Sequence, residues 1–295
     1  ATAPMSRQSS PRPVRRWGVR VTGTGWSLAV AMGRWRGISH RIAQPIPGLM
    51  PWRARSGPRN RRCRCCALVD AGPLETPDEC TRILIDSSPE LRDQLLDAEV
   101  KHLDALVYTH DHADQSHGID DVRALALRMR RRVPTYMDAR TASTLTERFG
   151  YCFEGHGGYP PILDRQADIV PLELFTISGE GGPVTFLPVE QMHGRIMSLG
   201  FRMGNLAYCY DLHDFPPESL KAIAGVDILI LDALRYTEHP SHAHLDRALG
   251  WIEEIAPREA WLTNLHIDMD YQTLCKELPS HIRPAYDGLS IDFTL

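Results

Sequence analysis

Acidic residues are missing from the first part of this chain. None of its 37 Asp and Glu residues precedes Asp70, whereas 14 of its 33 basic residues do, every one an Arg. Long apolar runs are lacking too. No uncharged segment reaches the roughly 18–20 apolar residues that a membrane-spanning helix requires, so no membrane partner is expected. Nor is there a disulfide framework: the seven cysteines are odd in number and irregularly spaced over 295 residues, unlike a secreted scaffold. What is present is 43% hydrophobic and 24% charged, sufficient to bury a core. The length suits one large domain or two small ones. Together these features predict a globular protein of a reducing, cytoplasmic compartment.

The chain divides into an Arg- and Trp-rich leader over residues 1–56 and a balanced region over residues 57–295. Trp17, Trp26, Trp35 and Trp52 lie in the leader. A basic arm with aromatic residues suggests phosphate contacts and base stacking. Arg15 and Arg16 before the apolar Ser27–Met32 suggest a targeting segment, but that stretch is short and is broken by Gly33, Arg34 and Arg36. Arg, Pro, Gly, Trp and Ala without acids is also what a shifted frame of GC-rich DNA would encode. This last reading, a terminus with no evolved role, accounts best for the composition, and nucleic acid is not the expected partner.

Beyond the leader, strands and helices alternate. Apolar runs predict strands at Cys65–Val69, Arg82–Asp86, Leu103–Thr109, Val133–Met137, Val184–Pro188, Ser198–Met203, Leu206–Tyr210, Ile228–Leu231, Ala260–Thr263 and Leu289–Phe293. Helical spacing is found over Ile119–Arg131, Thr141–Phe149, Pro216–Ala224, Leu245–Ile255 and Tyr271–Leu278, with a Gly- and aromatic-rich loop at Gly150–Pro161. This order predicts a layered α/β sandwich.

The segment THDHADQSHG carries the chemistry. A buried strand ends abruptly in His110, His112, Asp114 and His117. Imidazoles two apart with a carboxylate two further on can converge on a divalent ion such as Zn²⁺ or Mn²⁺. His193, Asp211 and His266 each stand at or just beyond the end of an apolar strand, where loops assemble sites.

His-x-His-x-Asp followed by a distant His, Asp and His resembles the metallo-β-lactamase-fold hydrolases. The phrases ILIDSSPELRDQLL, DILILDALRY and SHAHLDRAL look most similar to the cyclic-phosphate phosphodiesterase branch, and more distantly to the transfer-RNA 3′-end endonuclease. The resemblance covers roughly Gly57 to the C-terminus. It implies an αββα four-layer sandwich of two facing mixed sheets with two divalent metal ions, Mn or Zn, at their edge. Carried over, His110, His112 and His193 would hold one ion, Asp211 would bridge both, and Asp114 would hold the other. Gln115 and Asn264 stand where the family has its remaining two histidines. His266, two residues downstream, is expected to take the terminal role; for His117, ligand and helix-start readings both stay open. His242 matches the family's general acid, with His239 and His244 as neighbours in sequence. The glycine/serine-rich loop that follows the family's first strand is not found after Val21–Gly25. Cys63, Cys65 and Cys66 enter a strand, where alternate side chains diverge, so buried thiols are expected rather than a structural zinc.

The function expected is hydrolysis of a small cyclic or nucleotide-like phosphodiester, with two ions acidifying one water, Asp114 orienting it and His242 protonating the leaving group. A thioester or lactone hydrolase on the same ions, a nucleic-acid processing protein using the leader, and a non-catalytic relative are the alternatives. A homodimer is left open.

Overall fold

The computed structural model describes residues 17–23, 58–60, 62–64, 66–73 and 79–293. Apart from one strand, the leader lies outside them, including Trp26, Trp35, Trp52 and Ser27–Met32; so does Cys65. In the first half the elements are β1 (Trp17–Gly23), β2 (Ala67–Pro73), β3 (Thr81–Ile85), α1 (Leu91–Asp97), β4 (Ala105–Val107), α2 (Ala113–Ser116), α3 (Arg123–Met129), β5 (Val133–Tyr136), α4 (Ala139–Glu154) and β6 (Leu163–Arg165). The second half contains β7 (Phe175–Gly179), β8 (Gly182–His193), β9 (Ile196–Met203), β10 (Leu206–Cys209), α5 (Pro217–Ile223), β11 (Ile228–Asp232), α6 (Leu245–Ile255), β12 (Glu259–Thr263), α7 (Tyr271–Glu277), β13 (Ile282–Pro284) and β14 (Leu289–Phe293).

Two seven-stranded sheets form, ordered β14-β1-β2-β3-β4-β5-β6 and β13-β12-β11-β10-β9-β8-β7. Each is mixed. Strands β3 to β6 run parallel in the first and β10 to β13 in the second, and the remaining neighbours pair antiparallel. The parallel strands β3, β4 and β11 are buried at every position, because helices or the facing sheet cover both faces. That is why they read as unbroken apolar runs.

Three apolar clusters define the layers. One joins the facing sides of the sheets through Ile83, Val107, Phe186, Phe201, Tyr208 and Ile230. A second packs α5, α6 and α7 on the second sheet through Ile223, Trp251 and Leu274. The third packs α1, α3 and α4 on the first through Leu91, Leu125 and Leu145. The order helix, sheet, sheet, helix is the αββα sandwich expected.

Several elements depart from the sequence reading. Strand β1 lies within the basic leader and pairs with β2 and β14. The helix over Ile119–Arg131 divides into a 3-10 turn at Ile119–Val122 and α3. Helix α4 continues past a kink at Phe149 to Glu154, into the segment read as a loop, because Cys152 is buried in the third cluster and anchors the last turn.

The carboxyl ends of the parallel strands share one edge, where open α/β sheets assemble sites. There a backbone bond from Leu199 N to Thr109 O (3.0 Å) ties the two sheets together, and Gly118 N donates to Ser87 O (2.9 Å). Gly118 has no room for a side chain: a Cβ there would lie 2.0 Å from the carbonyl oxygen of Ser88. Since that neighbour is backbone, Gly118→Ala should cost about 2–3 kcal/mol and lower Tm by roughly 4–10 °C. Thermal unfolding checks this, and an unchanged Tm would show that the segment yields.

Candidate metal centre

The strand ends deliver the polar residues. Strand β4 runs into Thr109 and His110, β8 ends on His193, and β10 is followed by Asp211; β11 ends on Asp232 and β12 is followed by Asn264. Asp86, Asp211 and Asn264 all have left-handed backbone, with φ of 62°, 54° and 60°. Such φ values are uncommon outside glycine, and Asp and Asn tolerate them best. Each strand therefore turns sharply at its end and leaves a short polar side chain at the sheet edge.

His110, His112 and His193 come together with one nitrogen of each within 4.8 Å of the others. Their ring centroids are 4.6–5.1 Å apart. The surroundings fix which nitrogens face inward. His193 Nδ1 lies 2.7 Å from the carbonyl oxygen of Ser241, which only accepts, so Nδ1 holds the proton and Nε2 presents a lone pair. The Thr109 hydroxyl donates to Asp86 Oδ2 (2.8 Å) and so accepts from His110 Nδ1 (3.0 Å). His110 Nε2 is then a buried lone pair with no hydrogen-bond partner in the protein, and Asp211 Oδ2 is 3.5 Å away. His193 Nε2 lies 3.2 Å from His112 Nδ1. Lone pairs that close repel unless a proton or cation lies between them.

Electrostatics favour the same conclusion. Burial lowers His193 to about 3, helped by the charge of His242, and depresses His110 well below the ordinary imidazole range. Both rings are neutral at physiological pH. Burial raises Asp86 to about 8, and it pushes Asp211 well up, with Asp114, Asp232 and Asp86 adding to the rise and His242 opposing it. Neutral imidazoles beside crowded carboxylates are what a divalent cation stabilises. The triad therefore fits a divalent metal ion.

His242 is the next neighbour, its ring 4.7 Å from that of His193. Its Nδ1 is 3.0 Å from Asp232 Oδ2 and 3.4 Å from Asp211 Oδ1, and His193, Asp211 and His242 form a second group of candidate ligands. Asp114 is half-buried, and its charge acts on His112, Asp211 and His242.

His266 is not brought into the cluster: its Nδ1 pairs with Asp268 Oδ2 at 3.1 Å. His117 packs edge-on against Phe149 instead, with ring centroids 5.7 Å apart. His239 is 5.1 Å from His242, ring to ring. Arg235 binds the carbonyl oxygens of its own loop at Thr237 and Glu238. The two departures from the family pattern both reach Asp211. Gln115 Nε2 donates to Asp211 Oδ2 (2.8 Å) and Asn264 Nδ2 to Asp211 Oδ1 (3.1 Å). Asp86 and Asp232, not singled out from the sequence, orient His110 and His242. Each follows or ends an apolar strand, the same signal that marked Asp211.

Residues 81–267 match the family model of the beta-lactamase superfamily domain. The chain belongs to that superfamily. Its αββα sandwich and histidine cluster are those of the metallo-β-lactamase fold. A solved diphosphatase of the PhnP family is 30% identical, with a TM-score of 0.76 over 94% of this chain and 97% of that one. An octanoyltransferase of Porphyromonas gingivalis is 32% identical over 238 residues, which cover 77% of this chain. The chain spans 47% of that relative's length. Zn²⁺-bound PqqB from Methylobacterium extorquens shares the fold, with 19% identity and a TM-score of 0.61 over 93% of this chain and all of that one. Among the described residues no helix is long and apolar enough to cross a membrane.

The bonds from Asp86 through Thr109 to His110 are a test of the metal reading. Partners that orient a metal-binding imidazole are worth about 10–100-fold in metal affinity. Thr109→Val should weaken Zn²⁺ binding by about that factor in calorimetry. Unchanged affinity would show that His110 does not bind the ion.

Proposed function

We propose that this protein is a phosphodiesterase acting on a small cyclic or nucleotide-like phosphodiester. The observation that carries the reading is the His242–Asp232 pair, one ring away from the histidine triad. With Nδ1–H directed to Asp232, Nε2 is the nitrogen through which an imidazolium can hand over a proton. Burial alone would lower His242. The charge of Asp232 and the bond to it, together with Asp211 and Asp114, outweigh burial and hold it at about 9. A cation bound next door would bring it down towards neutrality. A protonated His242 both attracts an anionic substrate and protonates a departing alkoxide.

His110, His112 and His193 would hold a divalent ion, which would supply Lewis-acid polarisation of a phosphoryl oxygen and acidify water. Asp114 is the carboxylate assigned to orient the attacking water. Arg140 on α4, half exposed and 3.1 Å from Asp111 Oδ1, adds positive charge beside His110 and His112. Such charge suits a phosphodiester better than a neutral ester. The 30% identity to a PhnP-family diphosphatase supports the same class.

A second reading, hydrolysis of a thioester or other acyl derivative, is favoured by the relative named for octanoyl transfer. A panel of cyclic phosphates, aryl phosphodiesters, acyl thioesters and lactones with Zn²⁺ and Mn²⁺ separates the two. Turnover of phosphodiesters is expected; turnover of acyl substrates alone would replace the first reading with the second.

The role of His242 has its own test. His242→Ala should retain metal but lose about 10²–10⁴-fold in kcat on alkyl phosphodiesters, and far less on an activated aryl ester. Equal losses on both would remove His242 from the acid role. A general acid works below its pKa, so turnover of alkyl esters should fall as pH rises through the His242 value. The variant's profile should lack that alkaline limb.

A further inference from the structure

Asp211 is the carboxylate that the family pattern places between two ions, and its surroundings here do not fit the second. We propose that Gln115 and Asn264 close that position, so that the protein takes up one divalent ion per chain. The inference rests on the reading of His110, His112 and His193 as a metal triad.

Both oxygens of Asp211 accept a carboxamide N–H, Oδ2 from Gln115 and Oδ1 from Asn264. An amide nitrogen has no lone pair to give a metal, and its hydrogens carry partial positive charge. A cation on that side of Asp211 would meet both N–H dipoles head-on. Rotating the Gln115 amide would turn its oxygen onto the carboxylate, acceptor against acceptor; rotating that of Asn264, whose Nδ2 is also 2.9 Å from His242 Nδ1, would take from Asp211 Oδ1 its donor. All three residues are at most 1% exposed, so water cannot relieve such a mismatch. The two imidazoles that might substitute are in neither group of candidate ligands. His266 is held by Asp268, and its backbone N–H by the Leu234 carbonyl. His117 lies on Phe149.

The charge balance agrees. A second ion would neutralise Asp211; here two amide donors and His242, 3.4 Å from Oδ1, do so without one. The triad keeps its ligands, since Asp211 Oδ2 has a further lone pair beyond the one Gln115 uses. One position is therefore intact and the other filled by neutral side chains.

The test is metal stoichiometry on the full chain. Metal-free protein titrated with Zn²⁺ and analysed for bound metal after gel filtration should hold one equivalent, lost in His112→Ala. Loaded with Mn²⁺, it should give the uncoupled six-line electron paramagnetic spectrum of an isolated ion. The Gln115→His, Asn264→His double variant should rise from one equivalent to two, and its Mn²⁺ spectrum should show exchange coupling between neighbouring ions. Two bound ions and a coupled spectrum in the natural protein would overturn the proposal. No bound ion at all would instead overturn the triad reading beneath it. If the double variant does not fold, the natural protein's stoichiometry and spectrum decide alone.

Discussion

A buried carboxylate stays charged only where other groups replace the water it has lost. Asp211 imposes that constraint on the whole edge of this sandwich. Gln115 reaches it from α2, which follows β4 of the first sheet, and Asn264 from the end of β12 in the second. His242 reaches it from the approach to α6, and His110 from the strand end beside Gln115. Two sheets, otherwise joined at this edge by a backbone bond between Leu199 and Thr109, therefore converge on one anion. Asp211 is next to both the triad and the His242–Asp232 pair.

This arrangement divides the histidines into two electrical classes. His110 and His193 sit among other imidazoles, lose solvation, and are neutral. His242 loses solvation as well, but it faces Asp232 and Asp211 directly and is held protonated. A neutral ring has a lone pair to offer a cation, whereas a protonated ring has a proton to give. The separation arises chiefly from Asp232 at the end of β11, which pairs directly with His242.

Much of this was legible in the sequence because it depends on strand ends. His110 and Asp211 each follow an apolar run buried on both faces, the plainest signal a parallel strand gives, whereas His193 ends the antiparallel β8, whose burial largely alternates. Asp86 and Asp232 carry the same signal in RILID and ILILD and could have been read by the same rule. His266 was misplaced for a different reason. Two residues past a strand end, direction is set by the turn: Asn264 is left-handed, and His266 Nδ1 pairs with Asp268 and joins neither group of candidate ligands. Hydropathy does not encode that. Nor does it encode β6 and β7, where three residues or alternating exposure leave little pattern.

The left-handed turns also explain why ligands can be exchanged without disturbing the fold. At φ near +60° an asparagine is less strained than most residues, so Asn264 suits its turn at least as well as a histidine while offering no imidazole. Gln115 lies in the four-residue helix α2, where a long unbranched side chain spans the gap to Asp211. Each change removes a metal ligand, and each supplies a neutral donor to the carboxylate that ligand would have served. The scaffold asks only that Asp211 be satisfied. A cation can meet that demand, and so can two amides, which need no metal supply. The layers, the strand order and the triad are then independent of the second position, and that position is where a family with one fold can vary its chemistry.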